Sequence, residues 1–328
     1  MRKFLIKSML IVLAACAVLA LLNKRYKKVM KNRYDDQINF QLIGDIYKDI
    51  SISNVGSSHA AYGISYDNLT AEGYSCFNFA LPSQTYDYDL AILHEYGDNL
   101  AKGGIMFIPV SYFSFNNEYT NSAEKKDMET RYYYLLSPQN IPNYSLYTDI
   151  VTHRFPVLSS GDEFWKIFPN LSIKADAEED QTAEPDPAVF AQKALDRYNR
   201  HFASKDQYIM PERVQNLKDI ISFDKEHEIT PVLITTPYTS YYYDLASQHQ
   251  TEFMTEFNKT IADICSDTGV EYYDYSHDPR ICSDLHYFAD GDHLNHEGAL
   301  YFTSIMADDI PAFKEVLKTA AKTPTQSN

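Results

Sequence analysis

Polar and apolar positions alternate along most of this chain in two different periods. Short apolar runs rich in β-branched or aromatic residues occur at 50–55, 74–79, 104–110, 231–236 and 270–275, and they read as five strands. Between them, residues 87–100, 210–227 and 248–268 repeat apolar side chains at helical spacing. This alternation predicts an α/β fold in three layers, α/β/α, with a central five-stranded, mostly parallel sheet covered on both faces. Ligands then meet the carboxyl ends of the strands. From about 112 to 208 the pattern gives way to aromatic, polar and proline-containing sequence, including an acidic low-complexity piece at 175–187. It reads as an insertion near the rim of the site, with a solvated loop at the acidic piece.

The N-terminus follows another rule. Residues 4–22 contain a single charge, Lys7, which can snorkel, and this length is just enough to span a bilayer. The pattern predicts a cytoplasmic tip and transmembrane anchor at 1–23, a basic juxtamembrane segment at 24–46 lying on anionic headgroups, and a folded domain at 47–328. Leu13-Ala14-Ala15-Cys16 is similar to a lipoprotein processing site, but the chain stays apolar for six more residues, which favours an uncleaved anchor. Lys24, Arg25, Lys27, Lys28, Lys31 and Arg33 outnumber Arg2, Lys3 and Lys7, so charge counting favours a cytoplasmic domain. The chemistry below favours an extracytoplasmic one on a single-pass protein of the cell membrane.

Charge narrows the partners. Nine of the 29 basic residues lie within the first 33 positions, which hold no acid, so the remainder sets 20 basic against 45 acidic residues. That balance repels nucleic acid. The 27 tyrosines suit stacking on sugars and equally suit amphipathic filler. Cys76, Cys265 and Cys282 match no metal or redox spacing; either a Cys265–Cys282 disulfide or three free thiols fits.

Two short motifs carry the chemistry. Gly56-Ser57-Ser58-His59 follows the first strand, as a nucleophilic serine on a tight turn would, although a serine there also caps helices. Asp290-Gly291-Asp292-His293-Leu294-Asn295 sets an aspartate three residues before a histidine. That spacing lets a carboxylate orient one ring nitrogen while the other faces a serine hydroxyl. Asp292 is the alternative orienter, but a residue adjacent to His293 is expected to point poorly toward its ring. His59, His286 and His296 with Asp284 and Asp292 cluster around the motif, yet fit no standard zinc spacing, so no metal or other cofactor is expected.

These blocks resemble the SGNH or GDSL-type hydrolases, and more closely their membrane-anchored, DltD-like branch. The resemblance covers about 47–312 outside the insertion. It implies a flavodoxin-like sheet, Ser58 as nucleophile, His293 as general base and Asp290 as its orienter, with Leu294-Asn295 and Gly298-Ala299 following in the manner of that branch. Asn78 to Thr85 aligns with the second block, Ala80 and Ser83 replacing glycines, and Pro109-Val110-Ser111-Tyr112 stands where the third block carries an asparagine. The oxyanion donors implied are Ser58, Ser83, Asn78 and Ser111; His59, Gln84, Tyr112 and Asn295 are the substrate-binding candidates. The activity implied is acyl transfer to, or removal from, a cell-envelope or exopolysaccharide polymer, acetyl or D-alanyl on polysaccharide or teichoic acid. A membrane-bound O-acyltransferase is the implied partner. The missing asparagine and the tyrosine-rich insertion favour a second reading, a non-catalytic scaffold that binds polymer and organises the acyltransferase.

Overall fold

The computed structural model describes residues 1–35, 46–116, 185–202 and 208–320, and in between residues 132, 135–142, 144, 145, 147, 149–159, 164, 167 and 168. Most of the acidic piece, residues 175–184, lies outside the described residues, as do residues 36–45 of the juxtamembrane segment. The chain forms two compact units, Met1–Asp45 with Tyr119–Gln181, and Ile46–Glu118 with Thr182–Asn328.

In the first unit, α1 (Arg2–Asp35) includes a stretch, Lys3–Val29, long and apolar enough to cross a membrane. Leu19, Leu22, Tyr26 and Val29 form one stripe of this helix, packed on Val157, Phe164, Ile167 and Phe168. Polar side chains fix the contact. The Asn23 amide donates to Arg154 O (3.2 Å), and Arg25 Nε donates to Ile167 O (2.5 Å).

The second unit holds an all-parallel sheet of β1 (Ile50–Asn54), β2 (Cys76–Asn78), β3 (Leu100–Pro109), β4 (Thr230–Thr235) and β5 (Glu271–Asp274), in the order β2-β1-β3-β4-β5. This is the flavodoxin-like order, whose switch point falls between β1 and β3. β1 is buried on both faces although it reads Ile-Ser-Ile-Ser-Asn; Ser51 and Ser53 donate to the Ser75 and Ile105 carbonyls (3.2 and 3.3 Å), which answers their hydroxyls inside the sheet.

The helices are α2 (Ser58–Gly63), α3 (Asp67–Ala71), α4 (Tyr86–Tyr96), α5 (Pro187–Phe202), α6 (Pro211–Glu226), α7 (Ser240–His249), α8 (Thr251–Thr268), α9 (His296–Asp309) and α10 (Pro311–Thr319). α4, α6 and α8 pack in sequence to form one layer; α2, α9 and α10 pack together to form the other. In α8 the stripe Phe253, Phe257, Ile261 and Ile264 is buried, and the helix stops at Gly269, whose left-handed φ of 70° suits glycine. Burying each such side chain contributes about 1.5–3 kcal/mol, far more than intrinsic propensity gives, so packing rather than propensity holds the helix.

The irregular region hides a regular element. Beyond the end of β3, Phe115 and Met210 close the neck of a long excursion, the Met210 N–H donating to Phe115 O (3.0 Å). Within that excursion α5 forms a 16-residue helix that buries Phe190, Ala194 and Phe202 and packs on α7. Its stripe at four-residue spacing is a helix signal that the preceding acidic sequence obscures.

Candidate active site

The site grows from the switch point. After β1 the chain turns at Gly56, with φ of 123°, where an added Cβ would lie 3.1 Å from Ala60 Cβ and 3.2 Å from Pro109 Cδ. Only glycine fits both the angle and the space. The turn is clamped: Gly56 N–H donates to Asp89 Oδ1 (2.8 Å), Gln84 Nε2 donates to the same oxygen (2.6 Å), and Leu81 N–H donates to Gly56 O (3.1 Å). Asp89 is buried, which pushes its carboxyl up to about 7 even though the Gln84 and Gly56 bonds pull it down. Ser57 takes the N-cap position of α2 without a capping bond from its hydroxyl, and half-buried Ser58 opens the helix.

The second motif folds around its own carboxylate. Asp290 Oδ1 accepts the backbone N–H of Asp292 (3.0 Å) and of His293 (2.9 Å), while Thr239 Oγ1 donates to Gly291 O (2.6 Å). An added Cβ at Gly291 would lie 2.4 Å from Ala194 Cα, so the absence of a side chain lets α5 press directly on this loop. Ser58 Oγ then lies 2.8 Å from His293 Nε2, and His293 Nδ1 lies 2.9 Å from Asp290 Oδ2. Those distances suit proton transfer from the hydroxyl to a ring whose other nitrogen donates to a carboxylate. Tyr62, 41% exposed, sets its ring edge-on to His293 at 5.6 Å.

Asp292, set aside from sequence because of its adjacency to His293, reaches the same ring: Oδ1 lies 3.2 Å from Nδ1. Arg197 of α5 spans both acids, with Nη2 2.7 Å from Asp290 Oδ2 and Nε 3.2 Å from Asp292 Oδ1. Burial lowers the His293 pKa, but the two carboxylates outweigh it and push the ring up to about 9. Burial raises both acids, and His293, joined at Asp292 by His59, holds them below the usual carboxylate range.

Several of the expected site residues have other partners in the structure. Asn78 donates its amide to Ala60 O and Ile64 O (3.1 Å each), closing α2, so its N–H groups are committed away from an oxyanion. Ser111 is 1% exposed and its Oγ lies 2.7 Å from His59 Nδ1, not at the reacting centre. His59 itself is buried, with Nε2 3.1 Å from Asp292 Oδ2. Tyr112 is a core residue, stacked on Tyr242 and edge-on to Phe257. Asn295 caps α9, accepting from Gly298 N (2.9 Å) and donating to His286 O (2.6 Å). Gln84 is buried beneath the Gly56 turn rather than presented to a substrate. Ser83 is exposed at a left-handed φ of 59°, in the turn that Leu81 ties to Gly56.

The metal-like cluster also divides. His286 is exposed and pairs with Glu297, and exposed His296 lies 3.5 Å from Asp67. His59, Asp292 and His293 do offer ligand atoms within 4.8 Å of one another, but those atoms already face one another in the contacts above. All four cysteines are free thiols, including Cys265 and buried Cys282. Arg197 and His201, whose Nδ1 lies 3.8 Å from Asp292 Oδ2, come from the region in which the sequence pattern is irregular.

No family profile matches the chain, and no curated protein matches it in sequence. Among solved structures it is similar to a Bacteroides fragilis protein assigned by inference as an acylhydrolase, at 12% identity and a TM-score of 0.39, over 84% of this chain and 94% of that one. A likeness of that degree carries no functional argument.

Proposed function

We propose that this protein is a membrane-anchored, serine-dependent acyltransferase or esterase of the SGNH type, working on a cell-envelope polymer from the extracytoplasmic side. The observation that carries the reading is the continuous line from Ser58 Oγ through the His293 ring to Asp290, with both hydrogen-bond distances under 3 Å. His293 takes the Ser58 proton as Oγ attacks the acyl carbonyl, the N–H groups of Ser58 and Ser83 receive the oxyanion charge, and His293 returns the proton to the leaving oxygen. A sugar or polyol hydroxyl, or water, then takes the acyl group by the same steps in reverse. The acyl group is acetyl or D-alanyl. In the DltD-like branch of this reading a membrane-bound O-acyltransferase delivers it, close to the anchor formed by the apolar stretch of α1.

The commitment of Asn78 and Ser111 elsewhere favours a second reading, a scaffold that binds polymer without turnover. One oxyanion donor is worth about 2.7–4 kcal/mol, so losing one slows an enzyme by roughly 10²–10³ and does not abolish it. Full-length protein in detergent is expected to hydrolyse p-nitrophenyl acetate, and Ser58→Ala to lose that activity together with polymer acylation in cells. If Ser58→Ala leaves both unchanged, the enzymatic reading fails and the scaffold stands.

A further inference from the structure

The site holds one acid more than a triad needs. Asp292 is fully buried at its side chain, and its two oxygens lie beside different partners: Oδ1 accepts no hydrogen bond but sits at an ion-pair distance of 3.2 Å from both His293 Nδ1 and Arg197 Nε, and Oδ2 faces His59 Nε2 and, at 3.8 Å, His201 Nδ1. His201 in turn shares a hydrogen bond with Tyr242 OH (2.7 Å). A carboxylate at such depth costs several kcal/mol unless it is paired, and here three elements converge to pair it.

We propose that Asp292 is a second positioning carboxylate for His293, braced by the buried Ser111–His59 pair on one side and by Arg197 of α5 on the other. The inference rests on the reading of Ser58 and His293 as a catalytic pair. Its logic is charge balance. Arg197 donates to Asp290 and by itself would cancel that acid, leaving the His293 ring no net negative charge to face when it takes the serine proton. Asp292 restores it. Two carboxylates and one guanidinium carry a net charge of −1, and the cluster becomes neutral when His293 is protonated, the state that accompanies the tetrahedral intermediate.

The His59 contacts fit a bracing role. Burial lowers its pKa despite Asp292, so the ring is neutral. A neutral ring has one N–H, and that proton belongs on Nε2, where a carboxylate waits at 3.1 Å; Nδ1 then accepts the Ser111 hydroxyl at 2.7 Å. Ser111 thereby fixes the tautomer, and the tautomer fixes Asp292. Phe113 and Tyr238 hold the ring from its sides, with centroids at 4.9 and 5.3 Å.

The test is a titration of the His293 ring by NMR in full-length, histidine-labelled protein in detergent micelles, which needs no turnover. Asp292→Asn, which removes charge and keeps shape, is expected to lower the His293 pKa by at least one unit and to move the acid limb of the esterase pH profile with it. Arg197→Gln, at a more exposed position, is expected to move the ring the other way. A folded Asp292→Asn protein whose His293 titrates where wild type does overturns the proposal. If Asp292→Asn fails to fold, an unmoved ring in Arg197→Gln overturns it instead. Loss of the Ser58 reading leaves these titrations unaffected, so the two failures are distinguishable.

Discussion

Replacing Gly291 by alanine probes how α5 is joined to the Asp290–His293 loop. The added Cβ would lie 2.4 Å from Ala194 Cα and 2.8 Å from Ala194 N, both backbone atoms of a helix, against an ordinary contact of about 3.5–4.0 Å. Gly291 does not have a positive φ, so alanine carries no backbone penalty and the effect is purely steric. α5 must therefore retreat by roughly 1 Å, and Arg197, one turn beyond Ala194, retreats with it. Its 2.7 Å bond to Asp290 Oδ2 stretches to about 3.7 Å, past the usual limit for a hydrogen bond. Overpacking of this kind costs about 1–3 kcal/mol, and a displacement of that size at a supporting group slows catalysis by up to roughly 10²-fold. Thermal unfolding and kcat/KM on p-nitrophenyl acetate measure the two effects. Gly63→Ala is the control, since its Cβ would meet Thr236 Cγ2 at an ordinary 3.5 Å. If Gly291→Ala matches Gly63→Ala in both assays, α5 does not support the loop.

Three further predictions concern pH. Because the carboxylates raise His293 to about 9, the unprotonated ring that the proposed mechanism needs as base is a minority near neutrality; kcat/KM is expected to climb with pH through about 9, at roughly one-hundredth of its plateau at pH 7. A raised histidine also stabilises the fold most below its unfolded value and loses that contribution as pH rises through 9, so Tm falls over the range in which activity rises. An acid limb centred near 6.5 would contradict both. Asp89, raised to about 7 by burial, favours the fold while protonated below its unfolded value of 3.8, and this contribution is lost as pH climbs toward 7. Asp89→Asn keeps an oxygen for Gly56 N–H, so its Tm is expected to fall less than wild type between pH 4 and 7; parallel Tm curves would refute this.

The five strands and their parallel arrangement were legible because short apolar runs alternate with helical stretches, most clearly in the buried β3 and β4; β1 with its two serines and the half-exposed β5 write that signal more weakly. The proximity of Ser58, His293 and Asp290 was legible because the aspartate and histidine lie three residues apart in one turn. Asp292 lies nearer the ring than its adjacency to His293 suggests, for a local reason: Asp290 Oδ1 gathers the N–H groups of both Asp292 and His293, bending the loop until Asp292 Oδ1 lies 3.2 Å from His293 Nδ1. Arg197 was invisible because its helix follows an acidic stretch that masks the four-residue spacing of Phe190 and Ala194. Asn78 and Ser111 sit at the expected strand ends, but their hydrogen bonds are taken by α2 and by His59, a matter of partners that no spacing reveals.

The central claim is that Ser58 carries an acyl group, and the most direct measurement is intact-protein and peptide mass spectrometry of enzyme quenched in acid shortly after mixing with p-nitrophenyl acetate. The account predicts one added acetyl group per chain, located on the peptide containing Ser58 and absent from Ser58→Ala. Acetylation elsewhere with Ser58 unmodified, or turnover that persists in Ser58→Ala, would contradict it.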